Sequence, residues 1–458
     1  MTLPVYSGAD AKAVLETIVS PGFSPGTETS PGALNANGQP EIETLASRVE
    51  GIIQAVKRNG DIALKAFAAQ FNDPLLSEAM PFVLSSHQKE ALIAEVPADT
   101  QALLKRSAEN IAAFANAVKA AVQTVQMESE EASVGLDWKP VQRVACYVPA
   151  GRHALPSTAL MTTLTAKAAG VSDIVLISPK LQPETVFAGQ LAGVESFYQV
   201  GGAQAVAAMA YGTKSLEKVD MIVGPGNAFV NEAKRQLQGT IGIDMLAGPS
   251  EVVIIADATA NPTWVAWDLL AQAEHDSDAR AYLLTSSQSL ASAVVEALKQ
   301  IIAQDWSARF DQSRSYSQEI SVHGLTEHLN QTDWGAIFCL ESLEDCIQWS
   351  NALAPEHLEL LVGNPEAIEP GLLHYGALFM GHQTPVPVGD YMAGPNHTLP
   401  THRTARFSGG LTPLTFLRPQ TRIKVHQKQS TLLTDTAQFA QLEGLFAHQQ
   451  AVLQRFTE

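Results

Sequence analysis

Apolar residues recur at three- and four-residue intervals along the first quarter of the chain. Between about Glu41 and Gln126 they include Ile52, Ile53, Val56, Ile62, Leu64, Phe67, Leu103, Leu104, Ile111 and Phe114. This spacing places the apolar side chains on one stripe of a helix. The stretch is therefore predicted to form amphipathic helices.

After Val141 the pattern changes to short apolar runs that end in Gly or Pro and alternate with longer helical stretches. The runs are VACYVPAG, IVLISPK, FYQVGG, MIVGPGN, EVVIIAD, AYLLTSS, AIFCLES and LELLVGN. Continuous apolar strands separated by helices are typical of mostly parallel sheets with helices on both faces. The runs divide into two sets near Ser250, so the sequence predicts two α/β lobes with a ligand cleft between them.

The two ends of the chain differ from this pattern. Residues Ser20 to Pro40 are dense in Pro, Gly, Ser and Asn, a composition with little apolar surface to bury, and are predicted to form a mobile surface insert. The stretch from about Gly409 is helical in pattern and too short for a core of its own. It is expected to pack on another part of the protein.

Charge and cysteine content exclude several classes of protein. The chain has 29 Lys and Arg residues and 47 Asp and Glu residues, which gives a net charge of −18. No basic cluster is present in the sequence, so no nucleic acid is expected as a partner. The three cysteines, Cys146, Cys339 and Cys346, lack metal or disulfide spacing and suit a reducing compartment. No signal peptide and no apolar run near 18 residues occurs, so the expectation is a cytoplasmic protein with no membrane contact.

Three Gly-Pro turns follow predicted strands or loops, whereas no GxGxxG dinucleotide motif is present. They are GPGN at 224–227, AGPS at 247–250 and AGPN at 393–396. Each offers backbone N–H groups and a short polar side chain that could hold polar groups of a ligand. Taken singly, each is more often an ordinary tight turn.

Two polar residues in TWVAWDLLAQAEHDSDAR suggest a metal site. Gln272 and His275 are three apart within a helical pattern, so both project from one side of the helix. An amide oxygen and an imidazole nitrogen at that interval can bind one divalent cation. The alternative is an ordinary polar patch at the end of a helix.

A second group of polar residues suggests proton transfer. Glu356 and His357 are adjacent at the entrance to the apolar run LELLV, where a carboxylate can activate water and an imidazole can take a proton from an alcohol. A simple cap of a helix or strand is the alternative. Asp390 lies in a Gly- and Pro-rich loop that also contains His397, and Glu443 and His448 lie in the terminal helix.

Seven segments together resemble the histidinol dehydrogenase family, from about Glu43 to the end of the chain. They are VGGAQAVAAMAYGT, KVDMIVGPGNAFVNEAKRQL, IDMLAGPSEVVIIAD, LLAQAEHDSDA, APEHLEL, GDYMAGPNHTLPT and EGLFAH, in the order and at the intervals of the family. The resemblance implies an α/β fold of two Rossmann-like lobes with parallel-rich sheets, plus short helical N- and C-terminal segments. It also implies a homodimer in which the C-terminal segment of one subunit crosses to complete the active site of the other.

This resemblance divides the chain into four parts. Residues 1–41 would be an N-terminal segment, 42–148 with 249–408 the lobe that carries most metal and catalytic residues, 149–248 the NAD-binding lobe, and 409–458 a C-terminal helical segment. The implied activity is the oxidation of L-histidinol to L-histidine through bound histidinal, the last steps of histidine biosynthesis. Each subunit would use one Zn²⁺ and NAD, although Mn²⁺ or Co²⁺ suit similar ligands.

The resemblance also assigns roles to individual positions of this sequence. The zinc ligands would be Gln272, His275, Asp390 and His448, and the catalytic pair would be Glu356 and His357. Substrate contacts would include Ser250, His357, Glu443 and the metal ligands, and NAD contacts would be Tyr147, Gln204 and Asn227. Because hydration of the aldehyde supplies the second oxidisable species, no thiol is required, and Cys146 is expected to be structural.

Four positions depart from the family pattern. Ala150 replaces a usual Gly, Val386 replaces a common Glu, and His402 and Arg403 stand where small residues are typical. The lost carboxylate near Asp390 leaves the identity of the alcohol open, and a relative that oxidises another polar alcohol is the first alternative. A zinc hydrolase in which Glu356 activates water, and a catalytically silent relative that serves as a binding subunit, are the others.

Overall fold

Two parallel sheets with helices on their faces account for most of the chain. The computed structural model describes residues 3–19, 29–34, 40–70, 82–150, 154–275, 278–303, 334–427 and 430–456. All helix and strand bounds below refer to those ranges. Within them, no helix combines the length and the apolar character that a membrane span requires.

The first sheet has six parallel strands. In spatial order they are Val5–Ser7, Gly335–Cys339, Arg280–Thr285, Glu251–Ala256, His357–Leu361 and Ala377–Met380. Helices Pro262–Ala273 and Gln288–Ile302 cover one face, and helices Gly8–Val19 and Leu343–Leu353 cover the other. The short helices Pro365–Ile368 and Val386–Tyr391 flank its last strand.

Burial on both faces explains why the strands read as continuous apolar runs. In the strand Glu251–Ala256, Val252 and Ile254 pack into the core on one face of the sheet, whereas Val253 and Ile255 pack into the core on the other. Successive side chains of a strand point to opposite faces, so a sheet covered twice needs an apolar residue at every position.

The second sheet has five parallel strands. In spatial order they are Gly242–Ile243, Met221–Val223, Arg143–Tyr147, Asp173–Ser178 and Ser196–Gln199. Its covering helices are Leu45–Asn59, Asp61–Gln70, Ser86–Glu95, Ala98–Ala120, Pro156–Ala169, Pro183–Ala192, Gly202–Tyr211 and Ala228–Leu237. This unit and the first sheet form the two predicted α/β lobes.

The C-terminal part of the chain contains a strand as well as helices. Strand Leu417–Val425 pairs antiparallel with Ala132–Pro140, which also pairs with Val125–Glu128. The helices Thr431–Leu442 and Phe446–Leu453 follow and pack mainly on each other. Single 3₁₀ turns occur at Glu369–Gly371, Thr404–Arg406, Pro413–Phe416 and Gln454–Phe456.

The predicted fold class is confirmed, and every apolar run named above contains a strand of one of the two sheets. The structure groups some residues differently from the predicted boundaries. The helices Leu45–Asn59, Asp61–Gln70, Ser86–Glu95 and Ala98–Ala120, expected in the first lobe, pack on the second sheet, and the strand Arg143–Tyr147 belongs to that sheet. Residues 5–7 extend the first sheet. Hydrophobic spacing reveals a helix but not the lobe that its apolar stripe covers, which explains the difference.

Two further predictions concern the insert and the cysteines. Most of the stretch 20–40 lies outside the described residues, and its described parts, Thr29–Leu34 and Pro40–Thr44, pair antiparallel in two strands. Cys146, Cys339 and Cys346 are free and buried. Burial raises the pKa of the Cys146 thiol to about 12, which agrees with a structural role.

Candidate active site

Glu356 is held by the start of the neighbouring strand. Val252 lies opposite His357 in the parallel pair, so Glu251 and Ser250 lie beside Glu356. The Ser250 hydroxyl donates to Glu356 Oε2 at 2.7 Å, and the Glu251 backbone N–H donates to the same oxygen at 3.1 Å. Burial raises the pKa of Glu356, although the charge of His357 and these hydrogen bonds oppose the rise.

His357 is a buried imidazole between two carboxylates. Its Nδ1 lies 3.3 Å from the Glu251 carbonyl oxygen and 3.5 Å from Glu356 Oε2, and its Nε2 lies 3.7 Å from Asp390 Oδ1. Nδ1–H therefore donates to the carbonyl, which leaves the buried Nε2, without a hydrogen bond to any described residue, to exchange a proton. Burial alone would lower the pKa of His357, but Glu356 and Asp390 outweigh it and raise the pKa to about 9.

Asp390 comes from a loop that joins the two lobes. The short helix Val386–Tyr391 carries it, and His397 Nδ1 lies 3.0 Å from its backbone carbonyl oxygen. Within the same loop, the Asn396 amide donates to Met161 O at 2.9 Å and to Thr165 Oγ1 at 3.0 Å, both in the second lobe. Burial would raise the pKa of Asp390, but the contact with His357 outweighs burial and lowers it.

Gln272 and His275 approach the same cluster from the end of helix Pro262–Ala273. Asn261 caps the start of this helix by accepting from two backbone N–H groups. Gln272 is 2% exposed, and its buried Nε2 has no hydrogen-bond partner in the described part of the chain. His275 is more exposed and lies near enough to act electrostatically on Glu356 and Asp390.

These residues fit a metal ion in part. Among the described residues, no three His, Cys, Asp or Glu side chains are spaced to hold one. One end of the Gln272 amide has no hydrogen bond to a described residue, and a flip of the amide places its oxygen there as a ligand. Gln272, His275 and Asp390 supply three donors of suitable chemistry, and a tetrahedral zinc site requires a fourth.

Glu443 and His448 are not part of this cluster. Both are exposed on the C-terminal helices, and neither side chain has a hydrogen bond or ion pair to the cluster within the described part of the chain. Large apolar side chains beside them are also exposed, namely Phe439 at 62%, Leu442 at 81% and Phe446 at 72%. A surface of this kind is typical of a contact with another chain.

The three predicted NAD contacts lie at the carboxyl edge of the second sheet. Tyr147 is the last residue of its strand, and its hydroxyl accepts from the Gly202 backbone N–H at 3.1 Å. Gln204 lies in the first turn of helix Gly202–Tyr211, and Asn227 caps helix Ala228–Leu237 by accepting from Val230 N at 3.1 Å. In parallel sheets this edge is the usual ligand-binding edge.

The sequence analysis missed several residues of the cluster. Glu359 follows His357 by two positions, is 0% exposed, and accepts from the Val386 backbone N–H at 2.9 Å. Asp268 precedes Gln272 by one helical turn and contacts Glu359. The period of two along a strand and of four along a helix would have identified both. His397 was noted in its loop but was not assigned a role.

A cavity of about 520 Å³ adjoins the cluster. Asp390 and His397 line it, and so do the apolar side chains of Phe114 and Phe379.

One departure from the family pattern, His402, lies beside the AGPS turn that precedes Glu251. His402 has a positive φ of 53°, and a Cβ added at Gly248 would come within 1.4 Å of its Nε2, so the ring packs directly on the AGPS turn.

The fold and the cluster define a class of protein with two Rossmann-like lobes and a buried acid–base site at the amino edge of one sheet. Residues 36–456 match the sequence model of the histidinol dehydrogenase family. The chain is 40% identical to histidinol dehydrogenase of Parasynechococcus marenigrum, over 90% of this chain and 91% of that one. It is 38% identical to the enzyme of Methanocaldococcus jannaschii, over 90% and 93%.

A solved structure gives the same result. The crystal structure of histidinol dehydrogenase from Elizabethkingia anophelis superposes with a TM-score of 0.84 and 30% identity, covering 99% of this chain and 98% of that one. The chain belongs to the histidinol dehydrogenase family.

Proposed function

We propose that this protein is a zinc-dependent dehydrogenase that oxidises L-histidinol to L-histidine through bound histidinal, with two molecules of NAD. The observation that carries the proposal is the buried cluster of Ser250, Glu356, His357 and Asp390. It places an imidazole between two carboxylates where water is largely excluded. Membership of the histidinol dehydrogenase family supports the choice of substrate.

His357 is the proposed base in both oxidations. Its Nδ1–H bond to the Glu251 carbonyl oxygen fixes the ring, and Nε2 takes the proton of the alcohol. Because the pKa of His357 is about 9, the neutral form that can accept this proton becomes abundant only as the pH rises towards 9. NAD, when bound, accepts the hydride. Asp390 stabilises the imidazolium that results, because its carboxylate lies 3.7 Å from Nε2.

Glu356 is the proposed base for hydration of histidinal, the step that precedes the second oxidation. An aldehyde has no hydroxyl proton, so water must add to histidinal before a second hydride can leave. Burial raises the pKa of Glu356, which makes its carboxylate a better proton acceptor than an exposed one. Ser250 orients that carboxylate through its hydroxyl group.

Gln272, His275 and Asp390 would hold the zinc ion together with His448 from a second copy of the chain. When bound, the ion orients the imidazole and amino nitrogens of the substrate. Glu443 from the same second copy would contact the substrate. Glu443 and His448 are exposed, and so are the apolar side chains beside them. This supports a homodimer in which the C-terminal helices of each subunit reach the site of the other.

The test is a count of NADH. Purified protein with Zn²⁺, NAD and L-histidinol should give two NADH per histidinol. His357→Asn should abolish oxidation of both histidinol and histidinal, whereas Glu356→Gln should slow histidinal oxidation more than histidinol oxidation. His87→Asn, at an exposed histidine, is the matched control and should retain full activity. Equal losses on the two substrates in Glu356→Gln would refute the division of roles.

A relative that oxidises another polar alcohol is the second candidate. Val386 leaves the first position of the helix that carries Asp390 without a carboxylate. His402 packs on the AGPS turn, which ends at Ser250. Both changes alter the charge near the substrate. NADH formed only with another alcohol would select this candidate, and no NADH with any alcohol would favour a zinc hydrolase or a silent relative.

A further inference from the structure

A fully buried ion pair lies behind the GPGN turn of the second lobe. Lys234 Nζ and Asp244 Oδ1 are 2.7 Å apart, and both side chains are 0% exposed. Desolvation of two charges is expensive, and a buried pair of this kind often adds little net stability compared with apolar residues of similar size. Its contacts, rather than its contribution to stability, indicate what it does.

The pair binds both backbone groups of one residue. The Gly224 N–H donates to Asp244 Oδ2 at 2.7 Å, and Lys234 Nζ donates to the Gly224 carbonyl oxygen at 2.6 Å. With the Lys234–Asp244 contact, these bonds close a ring of three interactions around Gly224. The ring fixes the orientation of both peptide groups that adjoin Gly224.

Gly224 in turn fixes the neighbouring strand end. Its φ is +110°, a conformation that favours glycine, and an added Cβ would come within 2.2 Å of the Tyr147 carbonyl oxygen. The Tyr147 hydroxyl is bound to Gly202, two residues before Gln204. The ion pair is therefore linked to the carboxyl ends of three strands of the second sheet. They are Met221–Val223, which Gly224 follows, Arg143–Tyr147, which Gly224 contacts, and Gly242–Ile243, which Asp244 follows.

The same ring sets the start of the next helix. Lys234 lies on helix Ala228–Leu237, whose first turn Asn227 caps, and the Asn231 amide donates to the Gly226 carbonyl oxygen at 2.8 Å. The turn at 224–227 is thus attached to this helix at both of its ends. Asn227, a proposed NAD contact, is therefore positioned by the same helix that carries Lys234.

We infer that Lys234 and Asp244 are positioning residues for the dinucleotide, which hold the GPGN turn and Asn227 in the shape that receives NAD. The inference rests on the proposed function, because it assumes that NAD binds at this edge. The two charges are paired with each other and with the backbone of Gly224, so the pair acts through geometry and not by attracting phosphate. Its loss should weaken NAD binding and leave histidinol binding unchanged.

The decisive variant is the double substitution Lys234→Met with Asp244→Asn. It removes both charges together, so no unpaired charge remains buried, and the amide oxygen introduced at position 244 can still accept from the Gly224 N–H. Arg235→Met is the matched control, because it removes the ion pair that a half-exposed arginine of the same helix makes with Glu232. Titration of zinc-loaded enzyme with NADH gives Kd, and steady-state rates give KM for NAD and for histidinol separately.

The double variant should bind NADH at least about 10-fold more weakly, or about 1.4 kcal/mol, with KM for histidinol within twofold of the wild type. Hydrogen exchange should be faster in residues 221–227 without NADH but unchanged in the strands of the first sheet, whereas a generally unstable fold would exchange faster in both. An unchanged Kd, or an equal rise in both KM values, would overturn the inference.

Wild-type behaviour separates this failure from failure of the proposed function. If the wild type itself binds no NADH, the proposed function is wrong and the positioning role is wrong with it. If the wild type binds NADH and the folded double variant binds it equally well, only the positioning role is wrong. If the double variant does not fold, Lys234→Gln with Asp244→Asn, which also leaves no buried charge and keeps a hydrogen-bonding group at both positions, is tested against the same Kd and hydrogen-exchange criteria.

Discussion

Glu251 connects the acid and the base of the site through its backbone. Its N–H donates to Glu356, and its carbonyl oxygen accepts from His357 Nδ1. Its own carboxyl oxygen Oε1 is buried and has no hydrogen-bond partner among the described residues. Burial and the neighbouring Glu356 raise the pKa of Glu251 to about 8, so near neutral pH this carboxyl is largely protonated.

The raised pKa predicts a pH-dependent stability. Folded Glu251 keeps its proton up to about pH 8, whereas in the unfolded chain it ionises near 4.5, so its contribution to stability should fall as pH rises through that window. Glu251→Gln cannot ionise and should lack this fall. Urea unfolding at pH 5.0, 6.5 and 8.0 should show the wild type losing stability relative to the variant at each step.

The control for this prediction is Glu90→Gln, at an exposed acid of the second lobe. Its unfolding free energy should stay parallel to that of the wild type at all three pH values. If the unfolding free energy of Glu251→Gln also stayed parallel to that of the wild type, the folded protein would bind no more protons at position 251 than the unfolded chain does.

Sequence patterns reveal side chains better than backbone roles. Glu356 and His357 could be predicted because an acid and an imidazole at the entrance of an apolar strand are conspicuous. Glu251 could not, because it acts through an N–H and a C=O group that nearly every residue has. The departures at His402 and Arg403 were visible, but their positive φ values of 53° and 62° were not.

At the scale of elements, the pair Asp268 and Glu359 joins three pieces that carry site residues. Asp268 lies on the helix of Gln272, Glu359 on the strand of His357, and Val386, which donates to Glu359, begins the helix of Asp390. Burial raises the pKa of Asp268 to about 6, and burial with Asp268 raises that of Glu359. A shared proton between the two carboxyls fits these directions.

Substitutions at Glu359 should separate hydrogen bonding from charge. Glu359→Leu leaves the buried Val386 N–H without an acceptor and should lower the unfolding free energy by about 1–3 kcal/mol. Glu359→Gln keeps an acceptor for Val386 and adds a donor for Asp268, so it should be close to neutral. Chemical denaturation at pH 7 measures both, and equal losses would show that the hydrogen bond to Val386 contributes nothing.

The elements themselves could be predicted to different extents. The buried strands were evident from their continuous apolar runs, since both faces of each sheet are covered. Strand Leu417–Val425 was missed because all but its first residue are exposed, and its partner Ala132–Pro140 lies far away in sequence. Helix Val386–Tyr391 was expected as a loop, because six residues are too few to show a helical period.

For the whole molecule, the position of the C-terminal helices Thr431–Leu442 and Phe446–Leu453 determines whether one chain contains a complete site. These helices expose Phe439, Leu442 and Phe446, and His448 lies beside them. If His448 serves the site of a second copy, two inactive variants should complement each other. His357→Asn and His448→Ala, unfolded and refolded together, should recover about a quarter of wild-type activity, because half of the dimers hold one intact site.

Zero recovered activity would contradict this prediction, because it would mean that His448 acts within its own subunit. Recovered activity without joint refolding, from a simple mixture of preformed proteins, would mean that the subunits exchange freely, and size-exclusion chromatography coupled to light scattering would then establish the oligomeric state.

The order of strands along the chain has a consequence for how the protein forms during synthesis. The strands of the second sheet lie between residues 143 and 243, and its helices begin at residue 45, whereas the first sheet needs residues 5–7 and also strands as late as 377–380. A ribosome therefore releases every strand of the second sheet before the first sheet can be completed. The nascent N-terminal strand must wait for its neighbour at residues 335–339, so the half of the enzyme proposed to hold NAD can mature first.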